Sequence, residues 1–277
     1  MPQITIREWL AETEKRFASE GITSARLDSE LLVADELEQT RAYVHAHIDD
    51  EMDEEVVDKL DLKRERRMRR EPLAYIRGFK EFYGREFMVT KDVLIPRPES
   101  EMIVEMVEGL ELVYETKILD VGTGSGALGI TLKLEHPAYE VAICDISEAA
   151  LEVARKNAQA LGARVAMVKS DLLSEVGTDW DVIVANLPYV DRGWEVSPET
   201  GFEPELALYA DDGGLRLIER LFDQARAKTK LGGYLVIEAD ERQHEELEEY
   251  GRDLDWKLVE AKGLAMMFRL VIDKHRV

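Results

Sequence analysis

The chain has 277 residues, 45% of them apolar, which is enough for one catalytic domain with a sizeable core and a smaller module beside it. Its 36 Lys and Arg stand against 58 Asp and Glu, a net charge of −22 that repels nucleic acid at long range and suits a basic protein partner. No apolar run approaches membrane-spanning length, Met1 to Glu8 lack a signal-peptide pattern, and a single cysteine excludes an internal disulfide, so the expected location is cytoplasmic.

From Ile6 to about Arg70, apolar residues recur at helical spacing, as at Leu31, Leu32, Ala34 and Leu37, with Asp28 and Asp50 near helix starts. This predicts a module of four or five helices, assigned to residues 1–75. Lys63 to Arg70 is a basic stretch with two readings: a solvated helix face with its cations near the C-terminal end, or a dock for an acidic surface of a partner. Glu81 to Val93, with Phe82, Tyr83, Phe87, Val89 and Thr90 around Gly84, reads as a β-hairpin inside a linker at 76–97.

Beyond residue 98, strands alternate with helices, which predicts an α/β fold with a doubly wound, mostly parallel sheet. Ile118 to Val121 reads as a buried strand, followed by Gly122-Thr123-Gly124-Ser125-Gly126 and a helix starting near Ala127. Glycines there let the backbone turn sharply and approach a ligand, and the helix offers free N–H groups. The next strand, Glu140 to Cys144, ends at Asp145, about where a ribose-binding carboxylate sits in such folds. Cys144 itself reads as a small core hydrophobe.

Two cofactor classes fit the glycine loop, because Gly124 to Gly129 also satisfies the Gly-x-Gly-x-x-Gly pattern of dinucleotide enzymes. Asp120 separates them: it would face a pyrophosphate with a like charge but can accept from an ammonium. S-adenosylmethionine carries an ammonium and no phosphate. Asp171, after the strand Val165 to Val168, is a candidate acceptor for the adenine amino group, with Leu172 beside the ring. A turn or helix cap is the plain alternative for Asp145 and Asp171. No metal site is expected.

Helix Glu148 to Leu161 precedes these last residues, and His136 falls in a loop where a surface role is expected. The strand Val182 to Ala185 then runs into Asn186-Leu187-Pro188-Tyr189. Leu187 precedes a proline, so its carbonyl direction is restricted, and Pro188 brings no competing N–H. Asn186 Oδ1 and the Leu187 carbonyl can accept the two N–H groups of a planar amide or amino nitrogen, and the Tyr189 ring can pack on its plane. The long loop Val190 to Asp211 reads as a lid or binding loop. Helix Gly214 to Lys228, strand Tyr234 to Ile237, and an edge hairpin of Trp256 to Val259 with Met267 to Ile272 complete the domain at 98–277.

The chain resembles the HemK-type protein N5-glutamine methyltransferases that act on the Gly-Gly-Gln glutamine of class I peptide-chain release factors. The resemblance rests on Ala25 to Leu32, Glu71 to Gly78, Glu81 to Gly84, Val93 to Glu101 with its signature Ile95-Pro96-Arg97-Pro98-Glu99, the glycine loop, Asn186 to Tyr189, Phe202-Glu203-Pro204 and Leu206-Ala207-Leu208. It implies a seven-stranded class I methyltransferase sheet and S-adenosylmethionine as cofactor; a monomer with a helical module for substrate recognition is the expectation beside it. By that resemblance Gly122, Thr123, Gly124, Ser125, Gly126, Asp145 and Leu172 bind cofactor and Asn186, Leu187, Pro188 and Tyr189 hold the substrate amide. Asp120 and Asp171, read from their own charge and position, and Asn186 at the strand end complete the expected cofactor set. Leu187 stands where the family usually has proline, and Gly263 to Arg269 follows its usual ending only loosely. A ribosomal-protein glutamine and an adenine N6 in nucleic acid remain as alternative substrates.

Overall fold

A computed structural model describes residues 4–271 of the protein. Two compact units emerge: residues 1–78 together with 197–202, and residues 79–196 together with 203–277.

The first unit contains α1 (Ile6–Ser19), α2 (Ala25–Glu36), α3 (Arg41–Ala46), α4 (Glu54–Met68) and α5 (Leu73–Arg77). A capping box opens α1: Thr5 Oγ1 accepts from the Glu8 N–H, and the Glu8 carboxylate accepts from Thr5 N at 2.9 Å. The apolar stripes of these helices meet in a core built on Trp9, Phe17, Leu32, Val33 and Leu60. Both readings of the basic stretch need correction, because most of its cations are bound by acids of their own unit. Arg67 is buried and donates to Asp28 Oδ2 at 2.7 Å and to Glu199 Oε1 at 3.1 Å. Arg70 shares Glu199, Lys63 reaches Glu36 at 2.6 Å, Arg66 pairs with Glu71, and the buried Arg64 contacts Asp61 at 3.0 Å. Arg69 stays exposed.

The second unit opens with the hairpin β1 (Phe79–Phe82) and β2 (Arg85–Met88), then α6 (Glu101–Glu108), β3 (Lys117–Val121), α7 (Ala127–Glu135), β4 (Glu140–Asp145) and α8 (Glu148–Leu161). It continues with β5 (Ala166–Lys169), β6 (Trp180–Ala185), α9 (Glu205–Leu208), α10 (Arg216–Lys228), β7 (Thr229–Glu238), α11 (His244–Asp253), β8 (Trp256–Lys262) and β9 (Ala265–Leu270). Helix α8 has the expected bounds. Helix α10 starts two residues later than expected, since Gly213 and Gly214 take φ of 66° and 86° and cannot begin a right-handed turn.

Seven strands form one sheet in the order β5-β4-β3-β6-β7-β9-β8, parallel from β5 to β7, with β9 antiparallel to both β7 and β8. This is the class I methyltransferase architecture with the edge hairpin anticipated from sequence; Ile272, the expected end of its last strand, lies outside the described residues. Alternate residues of one strand enter opposite cores, as a period of two requires. Leu119, Val121, Ile183 and Ala185 pack with α10, whereas Ile118, Val182 and Val184 pack with α6 and α7. Order reverses between β3 and β6, which leaves a crevice at their carboxyl ends.

Candidate active site

Into that crevice opens a cavity of about 330 Å³, at the lower end of the roughly 300–1,000 Å³ typical of small-molecule sites. Asp120, Gly122, Thr123, Gly124 and Ser125 line it from the β3 end, and Asp145 from the β4 end. Asp171 and Leu172 line it after β5, and Asn186, Leu187 and Pro188 after β6. Gly126 and Tyr189 adjoin the lining without being part of it: Gly126 is the left-handed N-cap of α7, and the Tyr189 hydroxyl is held by Glu238.

Asp120 is fully buried at the loop's base. Its Oδ2 accepts from Thr123 Oγ1 at 2.5 Å and from the Gly129 N–H at 2.9 Å, while Oδ1 is buried without a protein partner. Burial pushes this carboxyl up to about 6, with Asp145 adding repulsion and the two hydrogen bonds opposing the rise. Asp145 fixes the loop differently, accepting from Gly124 N at 2.9 Å and from Ser147 N at 2.8 Å, and burial raises it too. Gly124 sits at φ 55° with open space where a Cβ would be, so its backbone faces the cavity directly. Asn157 on α8 completes the support: its Nδ2 donates to the carbonyls of Ser125 at 2.8 Å and Met88 at 3.0 Å.

At the β5 end the carboxylate of Asp171 is exposed and receives Arg220 Nη2 at 2.8 Å. Leu172 is buried with φ 49°, a conformation leucine rarely adopts. Cys144 behaves as expected, fully buried, its thiol pushed up to about 12 by desolvation. His136 caps α7 and stacks on Tyr139, away from the cavity.

Asn186 donates through Nδ2 to Ser100 Oγ at 2.8 Å, which leaves Oδ1 as the amide atom free for the cavity. Behind it lies Glu238, the last residue of β7, which accepts from Ser100 Oγ at 2.6 Å and from the Tyr189 hydroxyl at 2.8 Å. Burial raises Glu238 and raises Tyr189 as well. A second buried acid, Glu203, holds the cavity's rim: its Oε2 accepts from Ile95 N at 3.1 Å and its Oε1 from Arg97 Nη2 at 2.5 Å. Sequence reasoning placed Ser100 and Glu203 in the motifs of the resemblance without giving them a role, and missed Glu238, Asn157 and Arg220. Glutamate inside the apolar run Leu235-Val236-Ile237-Glu238-Ala239 was the one local signal, since an acid there must be buried and therefore paired.

The donor set fits S-adenosylmethionine, because Asp120 Oδ1 supplies the missing acceptor for an ammonium and Gly124 an open backbone edge. Residues 99–200 match the family described as methyltransferase small domain, and residues 8–78 that described as PrmC N-terminal domain. The release factor glutamine methyltransferase of Neisseria gonorrhoeae is 40% identical over 77% of this chain and 80% of its own length. That of Koribacter versatilis is 38% identical over 85% and 86%. In fold the chain is similar to a methyltransferase from Pyrococcus furiosus, with a TM-score of 0.54 at 19% identity, over 70% of this chain and 92% of that one. With two such relatives aligned along most of their length, the chain belongs to the release factor glutamine methyltransferase family.

Proposed function

We propose that the protein transfers a methyl group from S-adenosylmethionine to the side-chain nitrogen of the Gly-Gly-Gln glutamine of class I peptide-chain release factors. One observation carries this reading: Asn186 presents Oδ1, with Nδ2 tied back to Ser100, on the wall of the cavity that also holds Asp120 and the glycine loop. When bound, the cofactor supplies an electrophilic methyl on a sulfonium.

A carboxamide nitrogen is a weak nucleophile, so the chain's task is orientation. Asn186 Oδ1 and the Leu187 carbonyl accept the two N–H groups of the glutamine and aim the lone pair across the cavity. As the amide loses conjugation its N–H groups grow more acidic, and the same acceptors hold the nitrogen more tightly than before. No general base is needed ahead of transfer. Asp120 takes the cofactor ammonium, Asp145 the ribose, and Asp171 with Leu172 the adenine end. Gly122 to Gly126 let the backbone come close.

We assign residues 1–75 to substrate recognition, 76–97 to a linker and 98–277 to the methyltransferase domain, in a cytoplasmic monomer. Among the described residues no helix is long and apolar enough to cross a membrane. Mass spectrometry of a class I release factor incubated with the protein and S-adenosylmethionine tests the reading, with Asn186→Ala as control. One methyl on the Gly-Gly-Gln glutamine, absent with the variant, is the expected result. Methyl transfer to a ribosomal-protein glutamine or to an RNA adenine instead would replace it.

A further inference from the structure

Parallel pairing of β6 with β7 sets Ala185 opposite Ile237, so the residues that follow, Asn186 and Glu238, emerge side by side at the carboxyl ends of the two strands. Ser100, at the start of α6, reaches the same point. Three side chains 52 to 138 residues apart in sequence therefore meet behind the amide clamp.

The direction of each hydrogen bond in this chain is set by what its members can do. A carboxylate only accepts. Glu238 thus takes the protons of both the Ser100 and the Tyr189 hydroxyls, at 2.6 and 2.8 Å. With its only proton committed, Ser100 Oγ can only accept from Asn186, so Asn186 must turn its NH2 group inward, at 2.8 Å. Its Oδ1 is then left for the cavity. A free asparagine amide exposes oxygen or nitrogen almost indifferently, and the wrong face would offer a donor to the substrate's own N–H groups.

We propose that Glu238 is a positioning residue, which through Ser100 fixes the Asn186 amide with its oxygen toward the substrate and through its other oxygen anchors Tyr189. This rests on the reading of Asn186 as the substrate-amide acceptor. Glu238 touches neither substrate nor cofactor: it is 1% exposed and absent from the cavity lining. Burial raises this carboxyl, and the hydrogen bonds from the Ser100 and Tyr189 hydroxyls and from the Asn186 amide oppose the rise, so the ionised form that the chain of bonds requires is held by those three donors.

The decisive variant is Glu238→Gln, equal in shape but able to donate. Its amide has one acceptor for two hydroxyls, so it must donate either to Ser100 Oγ, whose proton then turns to Asn186 Oδ1 and reverses the clamp, or to the Tyr189 oxygen, which breaks the anchor of that ring. Turnover on release factor should fall at least tenfold, while cofactor affinity measured by calorimetry changes less than twofold. Glu238→Asp, which keeps the carboxylate, should recover part of the rate. Ser100→Ala should lower turnover by itself, and adding Glu238→Gln to it should cost little more, since both act through one chain of bonds. A second readout needs no turnover: the Asn186 side-chain NH2 resonances of isotope-labelled protein, identified by their loss in Asn186→Ala, should shift in Glu238→Gln. Unchanged resonances together with unchanged turnover in Glu238→Gln, or additive losses in the double variant, overturn the proposal. Failure of the unaltered protein to methylate release factor would overturn the functional reading instead, and the resonance measurement keeps the two failures apart. Should Glu238→Gln not fold, Ser100→Ala with wild-type turnover overturns it equally.

Discussion

A Cβ added to Gly122 would lie 2.7 Å from Cδ2 of Leu187, so the glycine loop and the Asn-Leu-Pro-Tyr segment are packed directly on one another. Leu187 is itself buried, and Gly122 sits at φ 70°. Gly122→Ala should therefore cost about 1–2 kcal/mol from the left-handed backbone and add a steric term. The steric part should be relieved by Leu187→Ala in the double variant, whereas the backbone part should persist. Urea unfolding of the three variants checks this; strictly additive losses would mean that the contact is not felt.

Protonation of Asp120 should govern cofactor binding. With the carboxyl pushed up to about 6, affinity for an ammonium-bearing ligand should fall about tenfold for each pH unit below that value, and Asp120→Asn should weaken binding and flatten the profile. The sign for stability is opposite to that of a salt-bridged acid. A raised carboxyl binds its proton more tightly when folded, so without cofactor its contribution is greatest at low pH. That contribution is lost as pH climbs from the ordinary carboxylate value to about 6, a change of about 3 kcal/mol. Asp145 and Glu238 are shifted in the same direction, so the difference between wild type and Asp120→Asn across pH reports Asp120 together with its repulsion of Asp145.

Glu203 is expected to behave as the fastener of the cavity rim. Removing its partner in Arg97→Ala leaves a buried carboxylate holding one backbone N–H, at a cost of about 3 kcal/mol. Hydrogen exchange at Ile95 should speed up in Glu203→Ala, with cofactor-loop amides unchanged. Equal exchange at Ile95 in both proteins would remove Glu203 from this role.

Within the helical unit, Arg67→Ala should destabilise by about 3–5 kcal/mol, because it strands the buried Asp28 and releases Glu199. Arg69→Ala, two residues away and exposed, should stay within about 0.5 kcal/mol of wild type. Denaturant midpoints of the two variants decide whether the stretch is structural cement or a free cationic face.

What the sequence made legible was local and periodic. The bounds of α8 follow from its apolar spacing and from Gly162, and the β3 to loop to α7 unit follows from three glycines behind an apolar run. Asp120 could be singled out because an acid before such a loop conflicts with phosphate. What stayed hidden depends on pairings between distant positions: Ser100 with Glu238, Glu203 with Ile95 and Arg97, Arg67 with Asp28 and Glu199. An arginine in a basic run carries the same helix-face signal whether it meets water or a buried aspartate. Spacing anticipated a helix through Lys63 to Arg70, which ends at Met68 with Arg70 left-handed at φ 68°, but not which way its cations point.

Internal use of those cations has a kinetic consequence. A molecule of net charge −22 whose Lys63, Arg66, Arg67 and Arg70 are tied to its own carboxylates offers few free cations on this helix to offset that charge when it meets a partner. Their encounter is then governed by the ionic atmosphere, whose reach shrinks from about 30 Å at 0.01 M salt to about 8 Å at 0.15 M. Capture of a basic partner should slow with added salt, whereas the short hydrogen bonds that position Asn186 should depend on it far less.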